Sequence, residues 1–291
     1  MKDLAGRLAV VTGGGSGMGR ELVRQLVAEG CSIATCDVSA SGLAETKRLC
    51  EQESLPQGLR ITTHIVDVAD EAQVLKFRDE VGTLHDTDRI HLLFNNAGIG
   101  GGSSMFANSR DEWERTFNIC WGGVYLNTRA FLPMLQKADK GHIVNTSSIN
   151  GFWASLGQGV PHTAYSTAKF AVKGFSEALI EDLRVHAPHV RVAVVMPGHI
   201  ATNIVANSMM AFGVPEADAF EANKGFRDSA PLSAGGAATV ILDGVRSGAW
   251  RILVGADAHG LDQWVRAYPE DAYDYAKLGA ARQDPTAATA E

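Results

Sequence analysis

The 291-residue sequence has only four cysteines, Cys31, Cys36, Cys50 and Cys120, and no paired C-x-x-C spacing. That pattern argues against a disulfide-stapled secreted scaffold and implies reduced thiols packed as small apolar residues in a cytosolic protein. An excess of positive charge is also missing. With 26 Lys and Arg against 33 Asp and Glu, the formal net charge is −7, which disfavours nucleic acid or an anionic membrane as the main partner. No apolar run approaches the ~20 residues that a membrane span needs. The opening Met1-Lys2-Asp3-Leu4-Ala5 has no signal-peptide core, so the expected location is the cytoplasm. A Gly-x-Ser-x-Gly elbow is absent, which disfavours a serine hydrolase. His142, His162, His186, His189 and His199 lack metal-ligand spacing, and no metal is expected.

What is present is a regular alternation of strands and helices. Arg7–Thr12, Ser32–Cys36, Leu59–Val66, Arg89–Phe94, Gly141–Thr146, Val190–Met196 and Trp250–Val254 read as strands. Helical patterns separate them, including Asp70–Leu84, a long stretch over Arg110–Gln136, the segment around Tyr165 running to His186, and Ser233–Arg246. This rhythm predicts an α/β protein with a parallel sheet covered on both faces. No internal repeat or linker divides it, so residues 1–279 are expected to form a single domain. Residues 203–231, with Met209, Met210, Phe212, Phe220 and Phe226, break the rhythm and read as a lid of short helices. Residues 255–279 read as short C-terminal helices, and 280–291 as a frayed tail.

Three stretches carry chemistry. The first strand runs into Gly13-Gly14-Gly15-Ser16-Gly17-Met18-Gly19 and then into a helix. Glycines there let the backbone approach a pyrophosphate, and the helix N-terminus presents free N–H groups to it. The second strand ends at Asp37, an acid placed to accept from a ribose 2′-hydroxyl and to repel a 2′-phosphate. No Arg or Lys follows until Lys47, so the sequence leans to NAD, with NADP as the alternative. The third stretch is Tyr165-Ser166-Thr167-Ala168-Lys169. Residues four apart on a helix share a face, ~6 Å apart. A lysine ammonium so placed lowers the pKa of a phenol, ordinarily about 10, toward the range where acid–base catalysis works at neutral pH.

Together these positions resemble the short-chain dehydrogenase/reductase family, in its single-domain Rossmann branch. The matching residues, in the family's order, are Thr12-Gly13-x-x-x-Gly17-x-Gly19, Asp67, Asn95-Asn96-Ala97-Gly98, Asn118, Ser148, Tyr165-x-x-x-Lys169 and Pro197-Gly198. The resemblance implies a doubly wound seven-stranded parallel sheet in the order 3-2-1-4-5-6-7. It implies Tyr165 as general acid/base, Lys169 as the group that acidifies it and holds the nicotinamide ribose, Ser148 on the substrate oxygen, and Asn118 on a relay water. Gly13, Ser16, Gly17, Met18, Gly19, Asp37, Asp67, Val68, Asn95, Ala97, Gly98, Pro197, Gly198, Ile200 and Thr202, with Tyr165 and Lys169, would then hold the dinucleotide. Ser148 is preferred over Ser147 by alignment to Ile149-Asn150-Gly151, because successive strand residues face opposite ways. The implied partner is a small apolar alcohol or ketone, and self-association into dimers or tetramers is expected through Arg110–Gln136 and Thr163–His186. The alternative is a dinucleotide-binding sensor or scaffold without turnover, although no catalytic residue is missing. One departure stands out: Tyr165 follows Ser148 by 17 residues rather than about 13, and the surplus in Phe152–Thr163 is expected to reshape substrate access.

Overall fold

Every residue of β1 (Leu8–Thr12) is buried, as a strand covered on both faces requires. In the computed structural model, which describes residues 3–53 and 58–283, β1 is an interior strand of a parallel sheet. Its neighbours are β2 (Ser32–Asp37) and β4 (Leu92–Asn95). The chain then fills the sheet outward with β3 (Ile61–Ile65) on one side and β5 (Gly141–Thr146), β6 (Val190–Pro197) and β9 (Arg251–Val254) on the other. The order β3-β2-β1-β4-β5-β6-β9 is the expected seven-stranded arrangement. The last strand is numbered nine because a two-stranded pair, β7 (Ile200–Ala201) with β8 (Leu232–Ser233), intervenes.

Helices cover both faces. On one, α1 (Gly17–Ala28) and α9 (Ala234–Ser247) bury Leu22, Leu26, Ile241 and Leu242 against Val11 and Val195. On the other, α3 (Glu71–His85), α5 (Gly123–Gln136) and α6 (Thr163–His186) bury Phe77, Phe131 and Leu183 against Val10 and Ile143. Local chemistry sets several starts. Ser39 caps α2 (Ala40–Gln52), Asp70 caps α3, and Ser109 forms a reciprocal capping box with Glu112 at α4 (Arg110–Phe117). Burial pushes the Cys50 thiol up to about 11 and Cys31 up to about 12, so both are neutral thiols at physiological pH. All four cysteines are free and buried. No helix among the described residues is long and apolar enough to cross a membrane.

The structure corrects some boundaries. The helix expected over 110–136 is broken by a π turn at Asn118–Gly122, which separates α4 from α5. Gly123 allows α5 to sit close to β3's exit: a Cβ there would lie 2.7 Å from Val68 Cγ2. The strand expected from Arg89 begins at Leu92, because the Ile90 N–H turns to the Met134 carbonyl instead of to a neighbouring strand. Residues 203–231 form α7 (Ile204–Ala211) and α8 (Glu216–Asp228). After α10 (Ala256–Ala267), α11 (Tyr275–Gln283) extends into the stretch expected to be a frayed tail. Residues 284–291 of that expected tail lie outside the described residues.

His142, on β5, has an acid-stability consequence. It is 1% exposed, and neither ring nitrogen has a hydrogen-bond partner among the described residues. Burial, with Arg191 adding to it, holds its pKa down to about 3. A folded pKa below the unfolded value of about 6.5 means the contribution is intact above pH 6.5 and is lost as pH falls from there toward 3. The resulting destabilisation is about 2 kcal/mol at pH 5. His142→Leu is expected to remove that slope, seen as a smaller drop in Tm between pH 7 and pH 5. An unchanged drop would refute it.

Candidate active site

The sheet order reverses between β1 and β4, and a crevice opens at the carboxyl ends of these strands. It holds a cavity of about 700 Å³, within the size range of small-molecule sites. Its floor is the glycine turn. Gly13 and Gly14 donate to the Cys36 carbonyl, at 2.8 and 3.1 Å, which ties the turn to β2. Gly17 has φ +54°, which favours glycine, and opens α1. Ser16, the residue before α1, makes no side-chain cap, so the first N–H groups of the helix stay available to an anion. Gly19 does not face the cavity, contrary to expectation. A Cβ there would lie 2.0 Å from the Gly13 carbonyl oxygen, so its role is to let helix and strand meet.

At the far side of the turn, Asp37 accepts from the Gly15 N–H at 2.9 Å and from the Ser39 N–H at 3.0 Å. The carboxylate is thereby fixed at the cavity wall with lone pairs to spare. Asp67 pairs with Arg115 at 2.7 Å. Val68, Ala97, Gly98 and Thr202 complete this part of the lining, along with Ser16 and Met18. Thr12 Oγ1 accepts from the N–H groups of both Asn96 and Ala97 at 3.0 Å, and so hangs the Asn95–Gly98 turn from β1. Among the cavity residues that were not read from the sequence are two arginines, Arg20 and Arg115. Arg20 directly follows the glycine turn, which was a usable signal. Its guanidinium is committed to the Gly15 carbonyl, the Gly42 carbonyl and Thr46 Oγ1. The position of Arg115 depends on how α4 meets the end of β3, which has no local signature.

Four further residues expected at the dinucleotide point elsewhere. Asn95 is turned into the interior, where its Nδ2 donates to Asn145 Oδ1 at 2.8 Å and to Thr128 Oγ1 at 2.9 Å. Asn145 in turn donates to Ser176 Oγ at 3.0 Å. Ile200 is 3% exposed within the apolar core. Pro197 ends β6 in a buried position, and Gly198 packs against Asp257, whose carboxylate would lie 2.2 Å from a Cβ there. For Asn95 the neighbouring residue, Asn96, lines the cavity instead, as alternation along an extended chain requires.

Beyond Gly98 lies the polar cluster. Lys169 is 2% exposed, and its Nζ donates to the Thr146 carbonyl at 2.9 Å. Nζ stands 5.2 Å from the centroid of the Tyr165 ring, one turn away on α6. The Ser148 side chain acts on the Tyr165 phenol, favouring its ionised form, and its hydroxyl accepts from the Asn150 N–H at 3.1 Å. Ser147 instead donates to the Lys169 carbonyl at 2.7 Å, so the two serines face opposite ways. Asn118 opens the π turn, and its carbonyl accepts from the Gly123 N–H. Its side chain is exposed and has no hydrogen bond to Lys169 among the described residues.

The electrostatics reverse one expectation. Burial pushes the Tyr165 phenol well above the usual tyrosine range, with Cys120 adding to the shift and Ser148 opposing it. The same burial lowers Lys169. Spacing alone predicted an acidified phenol. In the cofactor-free chain, desolvation is the largest influence on both groups. His162, which precedes α6, packs on Tyr165 with ring centroids 4.6 Å apart and the planes tilted by 32°, and burial holds it down to about 4, hence neutral.

Helices α7 and α8 close over the cavity. Asn207 donates to Ser16 Oγ at 3.1 Å, and Ser208 accepts from the Gly100 N–H at 2.7 Å. Met210 and Phe220 line the opening, whereas Phe212 packs on the core and Phe226 on His199. No cluster of three or more His, Cys, Asp or Glu suited to a metal occurs among the described residues.

The profile of the short chain dehydrogenase family matches residues 7–211. SadH of Mycobacterium tuberculosis is 36% identical over 269 residues, covering 91% of this chain and 92% of that protein. A short-chain dehydrogenase/reductase from Burkholderia phymatum, solved in complex with NAD, superposes with a TM-score of 0.79 at 28% identity, over 93% of this chain and 95% of that one. Levodione reductase of Leifsonia aquatica is 33% identical over 204 residues, 70% of this chain and 73% of that protein. A levodione reductase crystal structure gives a TM-score of 0.72 at 27% identity, over 88% and 98% of the two chains. With a matching profile across most of its length and relatives at this level of identity, the chain belongs to the short-chain dehydrogenase family.

Proposed function

We propose that the protein is an NAD(H)-dependent oxidoreductase that interconverts a secondary alcohol and a ketone on an apolar substrate, with Tyr165 exchanging the proton. The observation that carries this reading is the grouping of Tyr165 and Ser148 with buried Lys169, next to Gly98 at the end of a glycine-floored cavity. The residues present fit a dinucleotide: a helix N-terminus with uncapped N–H groups, an acid fixed at the opposite wall, and a cavity of about 700 Å³ between them. When bound, such a cofactor supplies the hydride chemistry.

The chain's own residues do the rest. Ser148 presents a neutral donor to the substrate oxygen, where negative charge develops. Tyr165, protonated at neutral pH because it is buried, is a ready proton donor to that oxygen in ketone reduction. Alcohol oxidation requires the phenolate and is therefore favoured by higher pH. Met210 and Phe220 give the entrance an apolar rim, and α7 and α8 serve as a lid that excludes water.

Asp37 favours NAD. Arg20, the cation nearest the glycine turn, is held by the Gly15 and Gly42 carbonyls and Thr46 Oγ1, which turns part of its guanidinium away from a 2′-phosphate. The test is kcat/KM on a panel of cyclic ketones with NADH and with NADPH. NADH is expected to win, and Asp37→Asn to lower its advantage at least ~10-fold, equivalent to ~1.4 kcal/mol of lost repulsion. Preference for NADPH in the unsubstituted protein, or no turnover on any ketone despite tight NADH binding, would overturn the assignment.

A further inference from the structure

Two unusual parts of this chain interlock. One is the surplus segment between Ser148 and Tyr165, and the other is the C-terminal region from α10 onward. Phe152, at the start of the surplus, lies beneath the Arg251 guanidinium, 5.6 Å from its ring centroid. Trp153 is 6% exposed, and its Nε1 donates to the Ala272 carbonyl at 2.7 Å. Its ring stacks on Tyr273 and meets Tyr275 edge-on. The Tyr273 hydroxyl accepts from the Ala154 N–H at 3.0 Å, and the Tyr275 hydroxyl pairs with Ser155 Oγ at 2.7 Å. Beneath them, Leu261, Trp264 and Leu278 form a separate apolar cluster with Trp153. Bidentate pairing of Arg251 with Asp262 ties α10 to β9.

The segment so held touches the polar cluster at both ends. At its start, Asn150 Nδ2 donates to the carbonyls of Trp153 and Ser155, at 3.0 and 2.8 Å, while the Asn150 N–H donates to Ser148. At its end, His162 packs on Tyr165. Between these ends, Leu156 and Val160 are exposed. Without an anchor, an 11-residue excursion with two left-handed glycines, Gly157 and Gly159, would sample many conformations.

We infer that Tyr273 and Tyr275 are positioning residues: through Trp153, Ala154 and Ser155 they fix segment 152–162 as the wall of the substrate pocket, so the C-terminal region sets substrate size. This rests on the reading of Tyr165 and Ser148 given above. It extends that reading to residues more than a hundred positions away in sequence.

The experiment uses the full chain with Tyr273→Phe and Tyr275→Phe together, which removes two hydroxyls and keeps both rings. Amide hydrogen exchange in 152–162 is expected to speed up at least tenfold, with the glycine turn and α6 unchanged and NADH affinity within twofold. The ratio of kcat/KM for 2-decalone to that for cyclohexanone should rise at least fivefold as the wall loosens. Ser155→Ala, which removes the Tyr275 bond together with the hydroxyl's two bonds to Gly157, should speed exchange at least as much as Tyr275→Phe alone. Unchanged exchange, or faster exchange with the same ratio, overturns the inference. If the unsubstituted protein reduces neither ketone, the functional reading has failed, and the exchange result alone then decides whether the tyrosines hold the segment.

Discussion

Tyr165→Phe is expected to lower turnover by ~10³-fold or more, the scale of a lost general acid, with little change in dinucleotide affinity. The reason is local. The substitution removes one oxygen from a half-buried ring whose packing against His162 and Lys169 stays in place. Ser148 acts on that oxygen, so the variant also removes the polar group that faces the serine. No other hydroxyl replaces it: Ser147 faces the Lys169 carbonyl, and Ser166 is buried on the other side of α6. Single-turnover ketone reduction with prebound NADH isolates the step from product release. A loss of less than tenfold would remove Tyr165 from the chemistry.

Lys169→Met is expected to move activity and stability in opposite directions. The ammonium is 2% exposed, has one hydrogen bond to a carbonyl and has no ion pair among the described residues. Burying such a group opposes folding, and an apolar chain of similar length relieves that cost. Thermal stability of the cofactor-free variant should therefore rise, by ~1 kcal/mol or more. Turnover should fall by ~10²-fold or more, because the phenol loses the positive charge that offsets its burial. The pH profile separates this from a packing defect. Alcohol oxidation by the variant should need a higher pH than in the unsubstituted protein, whereas a merely distorted site would lose rate without shifting its profile. A variant that is both less stable and unshifted in pH would show that Lys169 is a structural residue.

The fold was legible because its signals are local and repeated. A buried apolar run such as Ala9-Val10-Val11, followed by glycines and an amphipathic helix, has few other readings. The Tyr165–Lys169 spacing and the acid at Asp37 were legible for the same reason. What escaped depends on relations between distant parts of the chain. Asn95 and Asn96 are chemically identical, and only the tertiary structure decides that the first joins Thr128 and Asn145 while the second reaches the cavity. Arg115 reaches Asp67 only because α4 ends where it does, before a π turn. The upward shift of Tyr165 was invisible to a spacing argument, because spacing reports the neighbour and not the dryness of the site.

The buried chain Thr128–Asn95–Asn145–Ser176 links α5, β4, β5 and α6 through side chains alone. A greasy interface tolerates sliding, since one methyl serves nearly as well as the next, whereas amides tolerate it badly because each misplaced donor is stranded away from water. Sliding α6 by a single position would swing its side chains about 100° around the axis and carry the phenol off its serine. The chain of amides and hydroxyls therefore acts as a set of gear teeth. It makes the register of the catalytic helix a discrete quantity, so the site is either assembled or absent.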